Sequence, residues 1–328
     1  MRSELQNMES GSTRGNSLRR WGSALLLGLT ILLGGGMAHG GQIVLVLTSD
    51  ASFYHSTQDG FMAALSQRKG DIHSVLLEDV RTKGVAVTIG NNADLIVAVG
   101  TAAAVFLHDN APPQTPLVFC MVGDPAGNKL MQGRAMAGVT IDVPVADQFN
   151  LIAQALPGGH VMGMLYRSNT PEGQQLLKSS QAALPPGWRL SAVAVDQCDS
   201  VADAINKLIQ SQVDCIWTSV EAGVLDMDGR LALLKSARRA KVPVFGFSPS
   251  FVKSGALIGI GIDPTAQGDQ AGAMAQKIFD HVAQAASQIL PPQQFQIAVN
   301  QIVAEQIGVQ LPSELVGKAT YVYKAEDK

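Results

Sequence analysis

Few residues in this chain are arranged for bond-breaking chemistry. It contains no P-loop pattern, no H-E-x-x-H, no C-x-x-C and no G-x-S-x-G. Gly259-Ile260-Gly261 lies inside a strand-like run and lacks the third glycine of a dinucleotide loop. His55, His73, His108, His160 and His281 are scattered without the spacing of metal ligands. What the spacing supplies is binding chemistry. The apolar run 95–99 ends in Gly100-Thr101-Ala102-Ala103-Ala104, a tight turn and a small-residue helix start. The free N–H groups of such a start attract a carboxylate, although small residues there also serve close packing on a sheet. Ser49-Asp50-Ala51-Ser52-Phe53-Tyr54-His55 follows the run 43–48, and polar groups with aromatics at a strand end suit a ligand cleft. Two further polar mouths, 123–127 and 246–250, also follow apolar runs.

These mouths must be held by elements, and the chain builds the same half twice. Thr115-Pro116-Leu117-Val118-Phe119 enters a strand, passes the first mouth, and a second run, 137–141, ends at Asp142-Val143-Pro144. Val242-Pro243-Val244-Phe245 does the same, and the run 256–262 ends at Asp263-Pro264. Proline opens a strand but does not sit in its middle, so Pro116 and Pro243 mark entries. The stretch 92–97 matches 212–217. The runs 43–48 and 161–166 lead into helices predicted near 56–65 and 171–183. Each half reads strand, helix, strand, helix, strand, which implies a parallel sheet with helices on both faces. Ligands bind such sheets outside the carboxyl ends of the strands. Val201, Ala204, Ile205, Leu208 and Ile209 mark an amphipathic helix capped by Asp199 or Ser200. A helix over 265–288, stopped by Pro291-Pro292, a strand over 295–299 and a helix over 302–307 complete the pattern.

Composition limits the function further. The 328 residues are 46% apolar and 16% charged, enough for two cores. Residues 1–40 read as a signal peptide: Arg19-Arg20 form a basic region, 24–33 an apolar core, and Ala38-His39-Gly40 a cleavage site before Gly41. The apolar core is shorter than the roughly 20 residues of a membrane span, the alternative being an uncleaved anchor. No Cys follows it to carry a lipid, so the expected location is periplasmic without a lipid anchor. Without this segment the net charge is near −5, which argues against a nucleic-acid partner. Cys120, Cys198 and Cys215 are read as buried free thiols; a Cys198–Cys215 bridge is the alternative in an oxidising compartment.

The chain resembles the solute-binding proteins of ATP-binding-cassette importers, in their tryptophan/tyrosine-type subgroup. The resemblance rests on Pro116-Leu117-Val118-Phe119 with Val122-Gly123-Asp124-Pro125, Ala137-Gly138-Val139-Thr140, and Val242-Pro243-Val244-Phe245. It extends through Gly255-Ala256-Leu257, Gly261-Ile262-Asp263-Pro264, Gly268, Asn300, Ala304 and Gly308-Val309-Gln310-Leu311-Pro312. It implies an α/β fold of two doubly wound parallel-sheet lobes, the type I periplasmic-binding-protein fold, joined by a three-strand hinge near 143, 263 and 292. The lobes would be 41–143 plus 264–291 and 144–263 plus 292–328. The implied protein is a monomer, not an enzyme, without cofactor or metal. It would deliver a small polar, amino-acid-like or carboxylate-bearing ligand to permease subunits in the inner membrane by cleft closure. The implied ligand contacts are Ser49, Tyr54, Thr101, Gly123 and Asp124 in the first lobe. In the second they are Tyr166, Asn169, Thr170, Ser219, Glu221, Phe247, Ser248 and Asp263. Many relatives carry Asp-Asn where this chain has Ser219-Val220-Glu221-Ala222, which removes an amide from the ligand site. Two other readings share the architecture: a sensory protein docking on a receptor kinase, and a secreted enzyme of doubly wound fold. The enzyme reading lacks a nucleophile–base pair.

Overall fold

The repeated runs assemble into two sheets. The computed structural model describes residues 41–68, 70–219, 224–282 and 284–325; the expected signal peptide lies outside them. In chain order the first elements are β1 (Ile43–Leu47), α1 (Ser52–Ala64), β2 (Ile72–Leu76), α2 (Leu77–Lys83) and α3 (Val85–Thr88). Next come β3 (Leu95–Val99), α4 (Thr101–Asn110), β4 (Leu117–Val122), β5 (Ala137–Thr140), α5 (Val145–Ala155) and β6 (Val161–Tyr166). Then follow α6 (Pro171–Ala182), β7 (Arg189–Ala194), α7 (Val201–Gln210), β8 (Cys215–Trp217), α8 (Met227–Ala240) and β9 (Val244–Gly246). The last are α9 (Pro249–Lys253), β10 (Ile258–Ile262), α10 (Pro264–Phe279), β11 (Ile289–Leu290), β12 (Phe295–Asn300), α11 (Gln301–Ile307), α12 (Ser313–Lys318) and β13 (Tyr321–Tyr323).

The first sheet has the order β11-β5-β4-β3-β1-β2 and the second β13-β12-β10-β9-β8-β6-β7. The order 2-1-3-4-5 therefore occurs twice, in β1 to β5 and in β6 to β10. The strands within each of these halves run parallel. β12 pairs antiparallel with β10, and β13 parallel with β12, so the second sheet carries two reversed strands at one edge. Both faces of each sheet are covered, and β1 and β3 are buried along their whole length. That burial explains their continuous apolar runs. The edge strands β2 and β7 are only half-buried, and their mixed sequences carry no strong strand signal.

Three links carry the chain between the sheets: from β5 to α5, from β10 to α10, and from β11 to β12. The first two turns of α10 tie all three together. Asp263 begins the helix, its Oδ1 accepting from the amides of Thr265 and Ala266 at 2.9 and 3.2 Å. The buried Gln267 donates through Nε2 to the Thr140 carbonyl, at 2.9 Å. Gln270 donates to the Pro291 carbonyl at 2.9 Å and accepts from the Gln293 amide at 3.1 Å. α10 itself packs on α1, β4 and β5. Glycine permits the α1 contact, because a Cβ on Gly268 would run into the Thr57 carbonyl.

α10 ends earlier than the apolar spacing predicts. His281 takes a left-handed conformation at φ 54°, and the Val282 amide bonds back to the Lys277 carbonyl at 2.9 Å. This Schellman-type stop leaves Val282 half exposed and frees Ile289–Leu290 to add a short strand beside β5. All three cysteines are free. Burial pushes the Cys120 thiol up to about 12 and raises that of Cys215. Among the described residues no helix is long and apolar enough to cross a membrane.

Candidate functional site

The carboxyl end of β4 is where the first sheet departs from regular geometry. The β4–β5 register shifts between Phe119 and Val122, and Met121 sits at φ 58°. The Met121 amide, lost to the ladder, donates instead to Gln267 Oε1 at 3.2 Å. One helix side chain thus completes the hydrogen bonding of both β4 and β5 across the bulge. The bulge leads into Gly123 and into Asp124, itself left-handed at φ 43°. The Asp124 amide donates to Asp142 Oδ2 at 2.9 Å, while its carboxylate accepts from the Gly127 amide at 2.8 Å. Burial holds the Asp142 carboxyl above the usual carboxylate range. The Asp124 amide opposes that rise, and the Asp124 charge adds to it.

A cavity of about 300 Å³ opens at this point, lined from both sheets. Asp124, Ile141 and Asp142 come from the first sheet, and Val143, Val145 and Gln148 from the first link and α5. Glu172 and Leu176 of α6, with Ser219 and Phe247 just past strand ends of the second sheet and Ile260 within β10, close the other side. Gln148 fixes its own wall. It donates to the Val143 carbonyl at 2.8 Å and accepts from Trp217 Nε1 at 2.8 Å. Trp217 is buried and meets Phe149 edge-on, with centroids 5.1 Å apart. The chemistry is mixed: three carboxyl groups and several branched or aromatic apolar side chains. Such a lining suits a small ligand with an apolar body and a cationic group.

Of the residues singled out from the sequence, Asp124, Ser219 and Phe247 line this cavity. Gly123 precedes Asp124 in the same turn, its carbonyl accepting from Asn128 Nδ2 at 3.0 Å. Thr170 caps α6 by accepting from the Gly173 amide at 3.1 Å. Ser248 caps α9 by accepting from the Phe251 amide at 3.2 Å, and Asp263 caps α10 as described. Tyr166 packs partly buried against the second core, while Asn169 is exposed. Glu221 lies outside the described residues. Ser49, Tyr54 and Thr101 gather at the other end of the first sheet's edge. There Thr48 Oγ donates to the Val99 carbonyl at 2.9 Å and accepts from the Ala103 amide at 3.2 Å. Gly100, at φ 99°, lets the Tyr54 hydroxyl and Thr48 approach the start of α4. Part of that helix end is therefore satisfied from within the fold.

Sequence reading missed Asp142, Gln148 and Gln267. The signal for Asp142 was present in the repeat, since it ends the run 137–141 as Asp263 ends 256–262. Gln148 and Gln267 are polar residues on otherwise packed helix faces, and only their distant partners reveal their role.

The comparisons agree with the two-lobed fold. Residues 59–323 match the family described as ABC transporter substrate binding protein. A tyrosine-binding protein of Clostridioides difficile (strain R20291) is 22% identical over 198 residues, 58% of this chain and 56% of that relative. This chain thus matches little more than half the length of that curated relative. The ligand-free, open structure of a substrate binding protein with adhesive properties from Clostridium difficile superposes with a TM-score of 0.68. It is 20% identical, over 87% of this chain and 99% of that one. An ABC domain in complex with L-Trp from Streptococcus pneumoniae gives a TM-score of 0.56 at 21% identity, over 86% and 99% of the two chains. These structures share the two-lobed fold, and the chain belongs to the family of ABC transporter substrate-binding proteins.

Proposed function

We propose that this protein is the periplasmic receptor of an importer, capturing a small amino-acid-like ligand between its lobes and presenting it to permease subunits. The observation that carries the reading is the cavity of about 300 Å³ walled by strand ends of both sheets. In this reading the lobes are 41–143 with 264–291 and 144–263 with 292–328, and they close as a monomer about the three links. Asp124 and Asp142 face a ligand ammonium, while Ile141, Leu176, Phe247 and Ile260 receive its apolar body. The tyrosine-binding relative and the neighbour solved with L-Trp support an amino acid as the ligand class. The binding and closing of such lobes, with no covalent step, needs no catalytic group.

Mass spectrometry of ligand released from the purified protein, followed by calorimetry with the identified compound, tests this. A small amphipathic amine or amino acid is expected, with affinity lost in Asp142→Asn and Phe247→Ala. Unchanged affinity in both variants would place the binding site elsewhere. Small-angle scattering should also show a smaller radius of gyration at saturation, and an unchanged radius would remove closure from the mechanism.

A further inference from the structure

Arg230 lies in the opening turns of α8, just after the Asp226 cap, whose Oδ1 accepts from the Gly229 amide at 2.7 Å. Its guanidinium sits over the Phe247 ring, with Cζ 5.0 Å from the centroid. Phe247 is also a wall of the cavity and stacks on Phe251 at 4.9 Å. The Nε of Arg230 is buried without a hydrogen-bond partner. A buried donor left unfilled is costly, and native structures rarely keep one without a use. The fork of N–H groups on a guanidinium matches the two oxygens of a carboxylate.

The cavity itself offers no such match. Its described ionisable lining is Asp124, Asp142 and Glu172, with no Lys, Arg or His among the described lining residues. The adjoining residues 220–223 contain no Lys, Arg or His either. An amino acid entering it would find carboxylates for its ammonium and, among the described lining residues, no cationic side chain for its carboxylate. The cation stacked on the wall is Arg230. We infer that Arg230 is the residue of the second lobe that recognises a ligand carboxylate, reaching past Phe247, while Asp124 and Asp142 hold the ammonium from the first. This rests on the reading of the cavity as the ligand site. It adds a consequence for closure: a zwitterion ties a charge to each of the two lobes, whereas an amine or an acid alone ties a charge to only one. Differential affinity for the closed form, which is what drives a conformational shift, then belongs to the zwitterion.

The test uses the full chain without its signal peptide. Calorimetry is run with the twenty L-amino acids, then with the matched amine that lacks the carboxylate of each binder. Arg230→Gln should weaken the amino acid by about 10- to 100-fold, the loss expected for a charged hydrogen-bonded pair. The matched amine should keep its wild-type affinity, so that the two ligands converge. Arg230→Met retains packing on Phe247 and should behave alike, which covers poor folding of the Gln variant. Arg68 is the control: it stacks on Phe279 at 3.5 Å with an unpartnered Nε, but borders a different groove, with Asp94 and His281. Arg68→Gln should change neither ligand. Equal weakening of amine and amino acid by Arg230→Gln, or no weakening at all, would overturn the assignment and leave the stack as packing. If no amino acid binds the wild type, the assignment also fails. The cavity reading survives that result when Asp142→Asn weakens the ligand found by mass spectrometry, and falls with it when the variant does not.

Discussion

The carboxyl edge of the first sheet has two ends of opposite character. At β1 and β3 the polar groups satisfy one another: Thr48 serves both the Val99 carbonyl and the Ala103 amide, and Gly100 lets Tyr54 close over the turn. At β4 and β5 the backbone is left-handed twice, at Met121 and Asp124, and the Asp142 carboxyl is held partly desolvated beside a second acid. Both ends carry small polar residues, and the first has the stronger sequence signal. Only the second borders the cavity. We therefore propose the second end as the binding site, since charge and strain there are left uncompensated, and the self-capped end as structural.

The largest effect expected from breaking this contrast comes from Gln267→Leu. It orphans the Met121 amide and the Thr140 carbonyl together, at about 1–3 kcal/mol each. Chemical denaturation should report a loss of about 2–6 kcal/mol, and ligand affinity should fall in whatever protein remains folded. A loss below 1 kcal/mol, small against the cost of one orphaned group, would mean that the bulge holds itself.

Asp142→Asn should separate binding from stability. Losing the charged partner of an ammonium should cost about 10- to 100-fold in affinity. The fold should be as stable or more so. Burial raises this carboxyl above its unfolded value, so its ionised form is a cost to the fold above the folded pKa, relieved as pH falls through it. For the same reason wild-type affinity for an amine should drop on acidification while the pH is still above the usual carboxylate range. The asparagine variant should lose this drop, because the raised carboxyl is gone. Calorimetry across pH reads both. A destabilised Asp142→Asn protein, or a pH profile identical to wild type, would contradict the account.

At the self-capped end, Thr48→Val should cost stability alone, about 1–2 kcal/mol for a lost helix cap, with affinity unchanged. Thr101→Val should do least, changing ligand affinity by less than about threefold, well under 1 kcal/mol. A tenfold loss there would move the carboxylate contact to the start of α4 and erase the distinction between the two ends.

Much of the framework was legible in the sequence. The continuous apolar runs of β1, β3, β4 and β6, and the doubled Pro-entry strands, announce two parallel sheets, because a strand buried on both faces has no polar alternation to show. Asp263 was legible as the end of a repeated run, and Ser200 as a cap, because hydrogen bonds over two or three residues are written locally. The site was legible only in part. Asp124 and Phe247 follow strands and could be placed at a carboxyl edge. Nothing local distinguishes Gln148, Gln267 or Arg230 from solvated helix residues, since their partners stand far along the chain or across the sheet. The sequence by itself determined two sheets and where their edges lie. Tertiary structure alone decided which end of an edge opens into a cavity, because that depends on which distant side chains arrive to satisfy each backbone group and which charges are left without a partner.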